Sequence, residues 1–188
     1  MLKDLMKTAV HNMIYYVKKR YELKKENIPT FEEKIYNFKN PFFFKNYVCS
    51  TNECIFMTSV VEKSLGIQQL NLFLKEVGQE FENIKTIIII FGKCTPDCLK
   101  QSQFSNFNIE MYLLYNLQVN IFKHEQYPTE IEIYNSKKEL EEYYGKLNYL
   151  KRISEKDKLV VYLKLEKNQI IRFKPQDSQI TSDFRIVV

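Results

Sequence analysis

Glycine is scarce, four in 188 residues, and no stretch has the Gly-rich spacing with which backbone amides cradle a phosphate. Histidine is scarcer: His11 and His124 are the two imidazoles, and neither belongs to a Cys-His nucleophile pair. No apolar run approaches the roughly 18 residues of a membrane span, and the first ten residues, MLKDLMKTAV, are too charged for a signal-peptide core. Internal repeats and low-complexity linkers are missing too. These absences argue against nucleotide hydrolysis, cysteine-nucleophile chemistry and membrane insertion, and lead us to expect an intracellular, soluble protein with no cofactor.

What is present is enough for a substantial core. Apolar residues make up 45% of the 22.7 kDa chain, sufficient for one large domain or two small ones. Twenty-eight Lys and Arg against 23 Asp and Glu leave a net charge of +5, a mild excess that favours polyanion contact without the density of a protein that grips DNA unaided. Counting along the chain gives 15 − 12 = +3 over residues 1–115 and 13 − 11 = +2 over 116–188, so neither half is a charged tail. Four cysteines, Cys49, Cys54, Cys94 and Cys98, form C-x4-C and C-x3-C. Formally they could supply four zinc thiolates. Zinc knuckles usually use C-x2-C, however, and Cys98 lies in a helical-looking segment, so free thiols, two of them core-filling, are expected.

Periodicity organises the rest. Leu5, Met6, Ala9, Val10, Met13, Ile14 and Val17 mark one face of an amphipathic helix from Leu2 to Tyr21, with Lys3, Lys7, Lys18 and Lys19 opposite. Thr30-Phe-Glu-Glu33 has the capping-box pattern and predicts a short helix to about Phe38. Phe42–Val48 and Ile55–Val61 predict a hairpin around Ser50-Thr51-Asn52. Leu70, Phe73, Leu74, Val77 and Phe81 return to helical spacing, and Ile87 to Ile90 predict a strand buried on both faces. Thr95-Pro96-Asp97 is a helix start, and Ile109 to Leu114 a further strand. Leu117, Val119 and Ile121 alternate with polar residues up to His124, Ile131 and Ile133 mark a short strand, and Ser136-Lys-Lys-Glu139 opens a helix that ends at Gly145. The fold class expected is α+β. An N-terminal α/β domain with a central mixed sheet would span 1–115, and a small C-terminal α+β module 116–188.

The stretch KLVVYLKLEKNQIIRF, Lys158 to Phe173, is ambiguous. Leu159, Val161 and Leu163 alternate as in a strand, whereas Leu159, Tyr162 and Leu163 share a helical face behind Asp157, a capping residue. Leu150-x-x-Ile153, Asp157, Tyr162-Leu163-x-Leu165, a turn into Gln169-Ile-Ile171, and the closing Asp183-Phe184-Arg185-Ile186-Val187-Val188 together resemble a C-terminal module of the multisubunit RNA polymerases. It is the module shared by the fifth, common subunit of the eukaryotic nuclear RNA polymerases and its archaeal RNA polymerase counterpart. Upstream, His124-Glu125-x-x-Pro128 is similar to that family's H-E-x-x-P-x-H. Lys85-Thr86, Thr95-Pro96-x-x-x-Lys100 and Val119-Asn120-Ile121 resemble the eukaryotic-type subunit, which has an N-terminal jaw. The chain departs from the pattern at Lys151 and Lys158, which replace prolines, at Lys164 and Asn168, which replace glycines, and at Glu130, which replaces a histidine. Such divergence fits a large DNA virus or a fast-evolving parasite.

The resemblance implies a non-catalytic subunit of a multisubunit DNA-directed RNA polymerase. Residues 1–115 would be a jaw beside downstream duplex DNA, held weakly and without sequence preference, with Thr95, Pro96 and Lys100 near phosphate. Residues 116–188 would dock on the largest subunit, among other polymerase subunits, with His124, Pro128, Leu150, Ile153, Asp157, Tyr162 and Arg185 at the docking surface or supporting it. The compartment would be the nucleus for a cellular protein, and host cytoplasm or virion for a viral one. A second reading is a restriction-type metal-dependent nuclease, because Pro96-Asp97 followed by Glu110 resembles the P-D…(D/E)-x-K motif. Its lysine is missing: Glu110 is followed by Met111 and Tyr112. A third, a single-strand binder using the 13 Tyr and 14 Phe, needs exposed rings among basic residues, and runs such as Phe42-Phe-Phe44 point to packing instead.

Overall fold

Four consecutive β-branched side chains, Ile87 to Ile90, disfavour a helix and suit a strand covered on both faces. All four are fully buried, at the centre of β4 (Ile84–Cys94). The computed structural model describes residues 2–34, 44–49, 54–81, 83–101, 107–124, 130–146, 149–174 and 183–188. Before β4 come α1 (Leu2–Leu23), β1 (Phe31–Lys34), β2 (Phe44–Cys49), β3 (Cys54–Leu65) and α2 (Ile67–Glu80). After it come α3 (Pro96–Gln101), β5 (Asn108–Leu113), β6 (Glu130–Tyr134), α4 (Lys137–Tyr144), β7 (Lys151–Ile153), α5 (Lys158–Leu163), β8 (Ile170–Lys174) and β9 (Asp183–Val187). The fold is α+β with mixed sheets, and the chain divides into two compact units. Residues Met1–Ile14 and Pro29–Gln118 make the first, and Tyr15–Ile28 and Val119–Val188 the second. Helix α1 therefore supplies residues to both.

In the first unit the sheet order is β1-β2-β3-β4-β5. The β1, β2 and β3 pairings are antiparallel, and β3-β4 and β4-β5 are parallel. Antiparallel neighbours can be joined by a short turn, whereas each parallel step needs a crossover; α2 and α3 provide them. Leu70, Phe73 and Val77 of α2 and Cys98 of α3 pack on Phe56, Ile87 and Ile89. Ile55, Met57, Ile88 and Ile90, on the other sheet face, are buried as well. The apolar stripe of α1 in this unit, Met6, Ala9, Val10 and Met13, is likewise buried. Asn12 Nδ2 donates to Leu117 O at 2.8 Å.

The second unit has the sheet order β6-β8-β9-β7, with β7 parallel to β9 and the other pairs antiparallel. Tyr134, Leu140 and Ile170 form a small core, against which Leu150, Phe184 and Ile186 pack.

One sequence expectation is corrected. Residues 31–34 form β1, not a helix: Phe31, Glu32, Glu33 and Lys34 pair with Cys49, Val48, Tyr47 and Asn46. The ladder satisfies amides that a capping box would otherwise serve, and one partly buried Phe31 offers no helical apolar face to bury. The alternation of 117–124, which the sequence alone assigns to no element, falls in 3-10 turns, Leu114–Leu117 and Ile121–Lys123. Asn120 Oδ1 accepts from Phe122 N at 3.0 Å, and Tyr16 Oη from Ile121 N at 3.0 Å, so side chains take the amides a ladder would have used. The hairpin strands β2 and β3 pair as expected. Phe42 and the turn at 50–52 lie outside the described residues.

Candidate functional site

Asp157 resolves the ambiguous stretch. Its Oδ1 accepts from Leu159 N at 2.8 Å, its backbone is extended, and α5 follows directly. The helix buries Leu159, Val160, Tyr162 and Leu163 within about one and a half turns, which the alternating reading would have split between two faces. Lys164 ends it in the left-handed region at φ 53, where Leu165 N returns to Val160 O at 3.0 Å. Asn168 also adopts positive φ, 72°. The two positions at which the resembling family has glycine thus keep the conformation glycine favours.

Beyond this turn the chain closes on itself. Asn168 N donates to Val187 O and Val187 N to Gln169 O, at 3.0 and 2.9 Å. Val188 N donates to Ile153 O at 3.0 Å. Leu150, Ile153, Asp157, Tyr162 and the closing strand are therefore parts of one interlocked structure. Ile153 and Tyr162 are buried, and Leu150 packs on the small core. Arg185 lies nearer the surface, its guanidinium 4.8 Å from the centre of the Phe173 ring and 2.8 Å from Asp183. Lys151 reaches the same carboxylate at 2.9 Å. Burial opposes ionisation of Asp183, but these two cations hold its carboxyl below the usual value. His124 is exposed at the end of the second 3-10 turn. Pro128 lies outside the described residues.

Sequence reasoning missed what α1 gives this unit. Tyr16 stacks on Tyr162, centroids 4.6 Å apart, and its hydroxyl donates to Val119 O at 3.0 Å. Arg20 is buried and donates through Nε to Tyr162 O, near the C-terminal end of α5, where carbonyls lack helical partners. Burial, and then the neighbouring Tyr16, push the Tyr162 phenol up to about 12. The signal lay in helical spacing: Met13, Tyr16, Val17 and Arg20 fall at i, i+3, i+4 and i+7, with Arg20 where an apolar residue would be expected.

A second missed feature lies across β6 and β8. Glu132 stands opposite Arg172 in register. Its carboxylate is met by Arg172 Nη1 at 2.8 Å, Lys174 Nζ at 2.9 Å and Tyr134 Oη at 2.9 Å. Burial alone would raise the Glu132 pKa, but hydrogen bonds from Lys174, Arg172 and Tyr134 outweigh it and hold the group at about 2. Arg172 lies over the Tyr144 ring at 4.7 Å and near Phe184 at 5.9 Å.

In the first unit, Thr95 precedes α3 as predicted. Its Oγ1 accepts from Cys98 N at 3.4 Å, and its carbonyl from Cys98 N at 3.1 Å and Leu99 N at 3.3 Å. Pro96, Asp97 and Lys100 are exposed. Two early amides of this short helix, those of Cys98 and Leu99, are thus occupied. Glu110 of the nuclease reading is buried at 4% exposure, and its Oε2 accepts from Tyr112 Oη at 2.6 Å. Asp97 faces solvent. Among the described residues no group of three or more His, Cys, Asp or Glu could hold a metal ion. Cys49 and Cys98 are buried free thiols; burial, then nearby Cys94, raises Cys98 to about 11, far from the thiolate that metal binding or attack requires.

Residues 119–186 match the family model RNA polymerase Rpb5, C-terminal domain. Over that stretch the chain is similar to the C-terminal domain of Rpb5-type RNA polymerase subunits. No curated protein matches the chain in sequence.

Proposed function

We propose that the chain docks on the largest subunit of a DNA-directed RNA polymerase through its C-terminal module and carries a jaw that lies beside downstream duplex DNA. The observation that carries the docking half is the interlocking of β7, α5, β8 and β9 within the stretch that matches the family model. Leu150, Ile153, Asp157 and Tyr162 support that surface from within, and Arg185 and His124 lie at it. Functional division near residue 115 assigns residues 1–115 to the jaw and 116–188 to assembly, with the second part of α1 bracing the assembly module. Lys100, exposed after Thr95 and Pro96, is the candidate for phosphate proximity. Such a contact would be positional and indifferent to sequence. The chain would work inside the cell, wherever its polymerase does.

Lysine-directed cross-linking of the assembled polymerase on a downstream-extended template tests both halves. Lys151 and Lys158 are expected to link to the largest subunit, and Lys100 to lie within reach of template DNA. Links from Lys151 and Lys158 to other subunits alone, with Lys100 linked to protein and not DNA, would contradict the assignment.

A further inference from the structure

Strand β6 is the outer strand of its sheet: it pairs with β8 on one side and with no strand on the other among the described residues. Beside it, within the second unit, lies a groove of about 570 Å³, in the range of pockets that hold ligands. All five residues of β6, Glu130 through Tyr134, line this groove. Successive side chains of a strand point to opposite faces. A cavity touched by all five in succession therefore borders the backbone edge itself, where N–H and C=O groups turned away from β8 are available to another strand. We propose that this edge is a docking site for an extended peptide segment of alternating apolar and basic residues, which adds to the sheet as a further strand.

The chemistry of the segment follows from cross-strand pairing. On one face β6 presents Glu130 and Glu132, and on the other Ile131 and Ile133, so neighbours on an added strand are best matched by cations and β-branched apolar residues in alternation. The groove walls agree with both. Leu23 and Tyr143 give apolar surface, with Tyr143 71% exposed. Four carboxylates line the groove (Glu22, Glu130, Glu132 and Glu139) against three lysines (Lys19, Lys25 and Lys174), a balance of 3 − 4 = −1. Lys174 is already committed to Glu132 at 2.9 Å and Lys19 to Glu22 at 2.9 Å. Glu130 has a side chain 73% exposed and only a 3.7 Å approach to Lys174, so it is the carboxylate most able to take a new partner. At roughly 3.3 Å per residue, five residues of edge accommodate a segment of five or six. Strand addition of this kind takes affinity from the backbone and selectivity from alternate side chains. It does not depend on which protein the second unit docks upon.

The test uses the full chain and a fluorescent hexapeptide, Lys-Val-Lys-Val-Lys-Val, read by anisotropy at low salt, with amide shifts followed by NMR. Expected are saturable binding, shifts concentrated on Ile131 to Tyr134, and at least about tenfold weakening when every peptide amide is N-methylated, which removes the peptide's backbone donors on both edges. Glu130→Lys should weaken binding roughly two- to fivefold, the scale of a surface ion pair, with the fold unchanged by circular dichroism. Binding that ignores N-methylation, or a Glu-Val peptide that binds equally well, would overturn the proposal, as would no saturable binding. Protection of β6 amides that rises with concentration of the chain alone would overturn it in favour of a second copy as the occupant.

Discussion

Single side chains set the conditions under which the second unit holds together, and Glu132 is the clearest case. Its pKa falls from 4.5 in a free chain to about 2 in the fold. A depressed carboxyl contributes stability above its unfolded value and loses it as pH falls through the folded one. Stability should therefore decline between about pH 4.5 and about pH 2, and Glu132→Gln should flatten that part of the profile, measured as the urea midpoint against pH. An unchanged slope in the variant would mean that Arg172 and Lys174 find equal partners in the unfolded chain. Asp157 acts through geometry instead. Removing the carboxylate leaves Leu159 N without its acceptor, so Asp157→Ala should cost about 1 kcal/mol, and Asp157→Ser, which can still cap, much less. Equal losses for the two would place the effect outside the cap.

Among elements, those with a strong period and a local start signal were legible in the sequence. The helix face of α2, the Ile87 to Ile90 strand and the Ser136 cap of α4, with Glu139 N donating to Ser136 Oγ at 3.2 Å, all followed from spacing. Thr30 to Glu33 carried an equally good local signal, yet pairing with β2 overrode it, because a capping pattern without an apolar helical face has nothing to hold a helix in place. The stretch at 158–163 was decided by its cap, since both periods fitted. Helical spacing put Tyr16 and Arg20 on the buried face of α1, but their partners, Tyr162 and Val119, were not legible, because they are more than one hundred residues away. Two expectations belong to this scale. A fragment of residues 116–188 lacks the Tyr16 ring and the Arg20 guanidinium; restoring residues 15–28 ahead of it through a flexible linker should raise its melting temperature by about 4–8 °C for each kcal/mol regained. No rise would show that α1 is dispensable to the module. Lys164→Gly should stabilise the full chain by about 0.5–1 kcal/mol in chemical denaturation, since glycine takes the left-handed end of α5 without the steric cost lysine bears. A loss of stability would mean that contacts of the Lys164 side chain outweigh that cost.

At the scale of the whole molecule, a net charge of +5 spread over both halves would suit the proposed subunit, held by protein contacts and only grazing DNA. Lys100→Glu should therefore reduce retention of downstream DNA by the assembled polymerase most clearly at low salt, and leave assembly intact. If that substitution blocks incorporation instead, α3 is a protein-contact element. Of the two carboxylates in the nuclease reading, Glu110 is buried and accepts from Tyr112 Oη, whereas Asp97 is exposed. The most direct measurement is affinity purification of the tagged full chain from cells in which it is expressed, with mass spectrometry of what accompanies it. Stoichiometric recovery of the two large RNA polymerase subunits is the predicted result, and recovery of the chain as a free monomer would contradict the account.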